Sequence, residues 1–142
     1  MDATAGVFYI AILIMSVVIH EISHGFMAEY FGDSTARHAG RLTLNPIKHL
    51  DLFGSIILPA LLISSGSPVM FGWAKPVPYN PDNLNDKKWG EVAVAAAGVL
   101  ANFFVAFIFG MLVRLVPLFG FTEILSDKFY FIISVIVVTN LA

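Results

Sequence analysis

The sequence predicts an all-α polytopic membrane protein: about three to four transmembrane or re-entrant helices plus one short strand or hairpin element. Three observations carry this. Of the 142 residues, 58% are apolar and only 13% are charged, and the mean hydropathy of +0.82 is far above that of an ordinary soluble domain. Two apolar stretches are long enough to cross a hydrocarbon core of about 30 Å, and a third begins near Phe129. The connections between them are short and polar, so residues 1–142 read as a single membrane-embedded unit.

The first span covers residues 5–31 and stops at Gly32-Asp33. No basic residue precedes it, the first being Arg37, so it reads as a retained helix rather than a cleaved signal peptide. A polar connection over residues 33–51 follows, with Arg37, His38, Arg41, Lys48 and His49. Residues 52–63 are apolar but too few to span. They form a re-entrant or interfacial segment, or else they continue through Val69-Met70-Phe71. Residues 71–78 contain Gly72, Pro76 and Pro78 and cannot be regular helix. An extended strand or loop is expected there, with Trp73 near the membrane interface. Residues 80–88 are a polar turn region.

The second clear span covers residues 91–116. Its start is crowded with Ala93, Ala95, Ala96, Ala97, Gly98 and Ala101, which permits close helix packing, and Asn102 lies inside it. After a connection over residues 119–127, residues 129–142 open a third span that breaks off after fourteen residues, so the chain is expected to be cut in mid-element.

Charge and composition narrow the function. A net charge of −2 without a basic run gives no support for nucleic-acid binding. With no cysteine, disulfides and thiolate metal sites are excluded, so any metal ligands come from His, Asp or Glu. If residues 52–71 do not cross, then Arg37, Arg41, Lys48, Lys75, Lys87 and Lys88 share one side, which the positive-inside rule makes cytoplasmic. The N-terminus is then external.

The chemistry concentrates at the end of the first apolar run. Residues 5–19 carry no charge, and then His20-Glu21-Ile22-Ser23-His24 arrives. On a helix, i and i+4 share a face, so His20 and His24 can offer both imidazoles to one metal ion, with Glu21 placed to reach a water beside it. Ionisable groups at membrane depth are costly and mark functional sites. The alternative is a metal-free polar cluster between helices. A catalytic zinc takes three protein ligands and keeps one open position. Among His38, His49, Asp51 and Glu91, Asp51 is the best internal candidate for the third ligand, against the simpler reading that it caps a helix. Asn102 is either a substrate- or oxyanion-binding amide or a helix-packing one, and Trp73 is a candidate substrate contact.

His20-Glu21-Ile22-Ser23-His24-Gly25 resembles the active-site motif of the site-2 proteases, the intramembrane zinc metalloproteases of peptidase family M50. The likeness extends to Gly40-Arg41-Leu42-Thr43-Leu44-Asn45-Pro46, to His49-Leu50-Asp51 with Phe53-Gly54-Ser55, and to residues 71–78. It also covers Ala97-Gly98-Val99-Leu100-Ala101-Asn102, where the family usually has Pro in place of Val99. Together these segments resemble the short bacterial and archaeal branch without an inserted peptide-binding domain. The resemblance implies a Zn2+ cofactor on His20 and His24, Glu21 as catalytic base, a transmembrane protein substrate and a prokaryotic cell membrane. It also implies a third ligand, an Asp in a later Asn-Pro-Asp-Gly-type segment. Thr139-Asn140-Leu141-Ala142 resembles the approach to that segment, which places the ligand beyond Ala142. The rival readings are a non-catalytic metal- or partner-binding membrane protein and an ion or proton pathway through His20, Glu21 and His24.

Overall fold

A long run without charge must find its stability on its surroundings, and α1 (Ala3–Tyr30) has such a run over residues 3–19. The computed structural model describes residues 3–66, 73–115, 118 and 127–141. Within them α1 packs on α4 (Lys87–Leu115) and α5 (Asp127–Leu141), and α4 packs on α5, so the three long helices form one cluster.

The α1–α4 contact uses small residues of α4. Gly90, Val94, Ala97 and Gly98 are buried and share one face of that helix. Ala28 of α1 packs with Val94, and His20 and His24 lie against Gly98, so residues this small let the two helices come close. Near the end of α1, Ala28, Leu84 and Val94 form a buried apolar knot with Met27 and Phe31 packed against it. The opposite face of α4 leaves Val99, Phe103 and Phe107 more than half exposed, together with Leu100 and Phe104. Two helical segments, Ile10–Tyr30 and Lys87–Leu115, are long and apolar enough to cross a membrane.

Element boundaries follow local chemistry. α4 starts four residues before the expected position because the Asp86 side chain accepts from Trp89 N (3.0 Å) and its carbonyl from Gly90 N (2.8 Å). α1 ends at Gly32, whose φ of +107° turns the chain towards Asp33. A single turn, α2 (Thr35–His38), follows. It ends at Gly40 with φ +64°, where Arg41 N donates to Ala36 O (3.0 Å) and the chain reverses.

Residues 52–63 fold as a π-helical turn, Leu52–Ile57, continued by α3 (Leu58–Ser64). Asp51 caps the start, its Oδ1 accepting from Gly54 N at 2.7 Å. At about 1.5 Å per residue the two together reach only about 20 Å, short of a bilayer core. The expected continuation through Val69-Met70-Phe71 lies outside the described residues, as do Phe71-Gly72, residues 119–126 of the expected connection, and Ala142.

One expectation is corrected. The strand or hairpin element expected at residues 71–78 is not formed over its described part, residues 73–78: among the described residues there is no strand, and residues 73–80 run as irregular extended chain. The reason is donor supply. Pro76 and Pro78 have no N–H for a ladder, and the remaining donors are taken one at a time. Trp73 N donates to Gly54 O (3.2 Å) and Lys75 N to His49 O (2.8 Å), while Val77 N goes to a side chain of α1.

The far end of this extended segment is fastened to Asp33, which is fully buried. Its carboxylate accepts from Thr35 N (3.1 Å), Thr35 Oγ1 (2.5 Å), Asn80 N (2.6 Å) and Asn83 Nδ2 (2.9 Å). Burial acts to raise its pKa, but these four donors outweigh it and hold the carboxyl below the ordinary aspartate value.

Candidate metal and catalytic site

His20 and His24 sit one turn apart on α1, their ring centroids 4.7 Å apart and nearly perpendicular. α4 faces them. His24 Nδ1 lies 2.6 Å from the Val94 carbonyl; donation of Nδ1–H to that oxygen fixes the tautomer and leaves Nε2 as a bare lone pair. Four residues on, Gly98 provides room. A Cβ built there would stand 2.5 Å from His20 Nε2 and 2.6 Å from His24 Nε2. Both nitrogens therefore lie together against the backbone of Gly98, and the two rings fit there because residue 98 has no side chain.

This arrangement fits a metal ion. Zinc–nitrogen bonds run to about 2.0–2.1 Å, imidazole Nε2 is a common zinc ligand, and an outer hydrogen bond on Nδ1 is the usual support. Two candidate ligand nitrogens are brought together. Among the described residues, no group of three His, Asp or Glu side chains that could hold a metal ion is present. Asp51, the internal candidate, has its Oδ1 committed to the Gly54 amide as a helix cap. His38 and Glu91 are exposed. His49 is buried, its Nε2 2.9 Å from Thr43 O.

Glu21 is held from a different direction. Its Oε2 accepts from Val77 N at 2.9 Å, so the extended segment lies against the carboxylate next to the histidine pair. That contact requires close packing between α1 and the connection after it. A Cβ at Gly25 would meet Leu42 Cδ2 at 2.5 Å, Val77 Cγ1 at 2.9 Å and Ala36 Cβ at 3.0 Å. Glu21 thus has one carboxylate oxygen anchored by a backbone amide.

The other two sequence candidates are placed differently. Asn102 lies one turn beyond Gly98 on α4, and its side-chain oxygen is buried without a hydrogen-bond partner. Trp73 stays about half exposed (44%), packs beside Phe53 with ring centroids 5.9 Å apart, and lies over Gly54 so closely that a Cβ there would strike the indole. Its carbonyl accepts from Ser55 Oγ at 2.8 Å. Trp73 is therefore latched to the π-helical turn rather than joined to the histidine pair.

Sequence reading missed two contributors. Gly98 was legible only as one small residue among several, and the Val77 amide carries no side-chain signal at all. Helical phase offers one clue to Gly98, since Asn102 stands four residues on, on the same face.

The sequence profile of peptidase family M50 matches residues 8–142. A candidate zinc metalloprotease of Bacillus subtilis, YwhC, is 44% identical over 108 residues, covering 76% of this chain and 46% of that protein. A second one, Rip2 of Mycolicibacterium smegmatis, is 43% identical over 63 residues, covering 43% of this chain and 24% of that protein. The chain thus spans less than half the length of the curated relatives it matches. No solved structure matches it significantly.

Proposed function

The chain belongs to peptidase family M50, and from that premise we propose that it is the membrane-embedded core of a zinc metalloprotease that hydrolyses peptide bonds within transmembrane segments of protein substrates. The observation that carries the proposal is the pairing of His20 Nε2 and His24 Nε2, which lie together against Gly98, with Glu21 anchored beside them.

In this reading His20 and His24 hold Zn2+, and the third ligand comes from the part of the family's length that this chain does not span. When bound, the ion supplies Lewis-acid polarisation of the scissile carbonyl and acidifies water. The chain's own residues do the rest. Glu21, steadied by the Val77 amide at one oxygen, takes a proton from the attacking water and passes it to the leaving amine. His24 is kept in its ligating tautomer by Val94 O. Asn102 can accept from a substrate backbone N–H through its side-chain oxygen, a role supported by that oxygen having no partner among the described residues.

The membrane setting is part of the same proposal. It is supported by the two long apolar helices and by the exposed Val99, Phe103 and Phe107 face of α4, which water would disfavour and lipid would accept. With the short α3 segment not crossing, six cations lie on one side, which puts the N-terminus outside and the site nearer the cytoplasm of a prokaryotic cell.

The deciding experiment uses Glu21→Gln in the full-length protein, reconstituted in liposomes with a peptide carrying one apolar transmembrane segment that the wild type cleaves. Zinc content should persist and cleavage should fall by at least about 100-fold, the scale of general-base catalysis. Retained cleavage would remove Glu21 from the mechanism and favour a non-catalytic metal- or partner-binding role.

A further inference from the structure

Arg41 is almost completely buried, at 7% exposure. A guanidinium in that position would ordinarily be matched by a carboxylate, because an unpaired buried charge is costly. The ion pairs formed by the described residues join Arg37 to Glu29 and Lys87 to Asp82, and neither involves Arg41. Its Nη2 instead donates to two backbone carbonyls in succession, Lys75 O at 2.7 Å and Pro76 O at 3.3 Å.

The second of these acceptors belongs to a particular peptide group. The Pro76 carbonyl and the Val77 N–H are two ends of one planar unit, and a planar unit cannot turn one end without the other. Arg41 holds the oxygen end, and Glu21 Oε2 accepts from the nitrogen end at 2.9 Å. A cation on the carbonyl also polarises the peptide and strengthens its N–H as a donor. The local sequence explains how Arg41 reaches this place. Gly40, at φ +64°, ends α2, and the reversal that follows turns residue 41 back over the extended segment.

We propose that Arg41 is a positioning residue for Glu21, acting through the Pro76–Val77 peptide group to hold the carboxylate in its working orientation. The proposal rests on the assignment of Glu21 as the catalytic base. It distinguishes Arg41 from Arg37, which lies exposed in its pair with Glu29. Both carbonyls are met by the one Nη2, so a lysine ammonium reaching the same place would retain part of the contact.

The test compares Arg41→Gln and Arg41→Lys with the wild type in the full-length protein, with two readouts. The first is hydrogen exchange of the peptide covering residues 74–78, whose only amides are those of Ala74, Lys75 and Val77. Exchange there should accelerate at least tenfold in R41Q, while peptides from α1 and α4 and the zinc content stay as in wild type. The second is cleavage of the transmembrane-segment peptide, per folded molecule. Here kcat should fall at least tenfold with KM within twofold, and R41K should recover part of the loss. A merely structural role would lower the yield of folded protein and leave kcat per molecule intact. Wild-type exchange in residues 74–78, or kcat within twofold of wild type, overturns the proposal. If R41Q does not accumulate, R41K is read instead: at least a twofold rise in exchange and a twofold fall in kcat are expected, and smaller changes overturn the proposal. Failure of the underlying assignment is separately visible: it shows as cleavage by E21Q, whereas an inactive E21Q beside a fully active R41Q sinks only the role of Arg41.

Discussion

Replacing Gly98 by alanine puts a methyl group where two imidazole nitrogens meet. The added carbon would lie 2.5 Å from His20 Nε2, 2.6 Å from His20 Cδ2 and 2.6 Å from His24 Nε2. Ordinary contact between such atoms begins near about 3.5 Å, so the overlap is about 1 Å on two rings at once. His24 cannot simply swing away, since its Nδ1 is tied to Val94 O at 2.6 Å. Forced repacking of this kind costs about 1–3 kcal/mol, partly offset by the roughly 1 kcal/mol that alanine gains over glycine inside a helix. The fold should therefore survive. Zinc affinity should not, because the methyl pushes both rings out of their orientation; a loss of at least about 10–100-fold is expected, the scale seen when ligand orientation alone is disturbed. The assay is zinc titration of full-length Gly98→Ala against a competing chelator, with a thermal melt of the metal-free protein as the folding control. A folded G98A protein that binds zinc as tightly as wild type would refute the assignment of the two imidazoles packed on Gly98 as the metal ligands.

Two further outcomes test the frame around the site. Asp33→Asn weakens a carboxylate that accepts four hydrogen bonds in a fully buried position, and should cost about 2–4 kcal/mol in a denaturation experiment. Because the folded-state pKa of Asp33 is depressed, its contribution is present above the unfolded value of about 3.9 and is lost as pH falls from there through the folded value; the stability–pH slope below about pH 4 should flatten in D33N. Gly25→Ala drives a Cβ into Leu42, Val77 and Ala36 and should destabilise by about 1–3 kcal/mol while speeding hydrogen exchange at Val77, whose amide is the donor to Glu21. Unchanged exchange at Val77 in G25A would show that the extended segment does not depend on this packing.

Much of this architecture was legible in the linear order of residues. Charge-free residues 5–19 and the apolar residues 91–116 announce two long helices, because hydrophobic content over twenty residues has few other outcomes. The spacing of His20 and His24 announces a shared face, since i and i+4 always meet on a helix. Asp51 was readable as a cap from its place before an apolar segment. The expected strand at residues 71–78 went wrong because extended conformation and ladder pairing are separate matters: Pro76 and Pro78 enforce the first and forbid the second.

Sequence by itself therefore determined which helices form and which two imidazoles share a face, because both follow from periods of three to four residues within one element. Only the tertiary structure decided what surrounds them. His24 meets the Val94 carbonyl 70 residues away, Glu21 meets the Val77 amide 56 residues away, and Arg41 reaches across 34 residues to the Lys75 carbonyl. Two of these partners are backbone carbonyls and one a backbone amide, which every non-proline residue possesses. Nothing in their side chains marks them, and packing of α1 against α4 and the extended segment is what selects them.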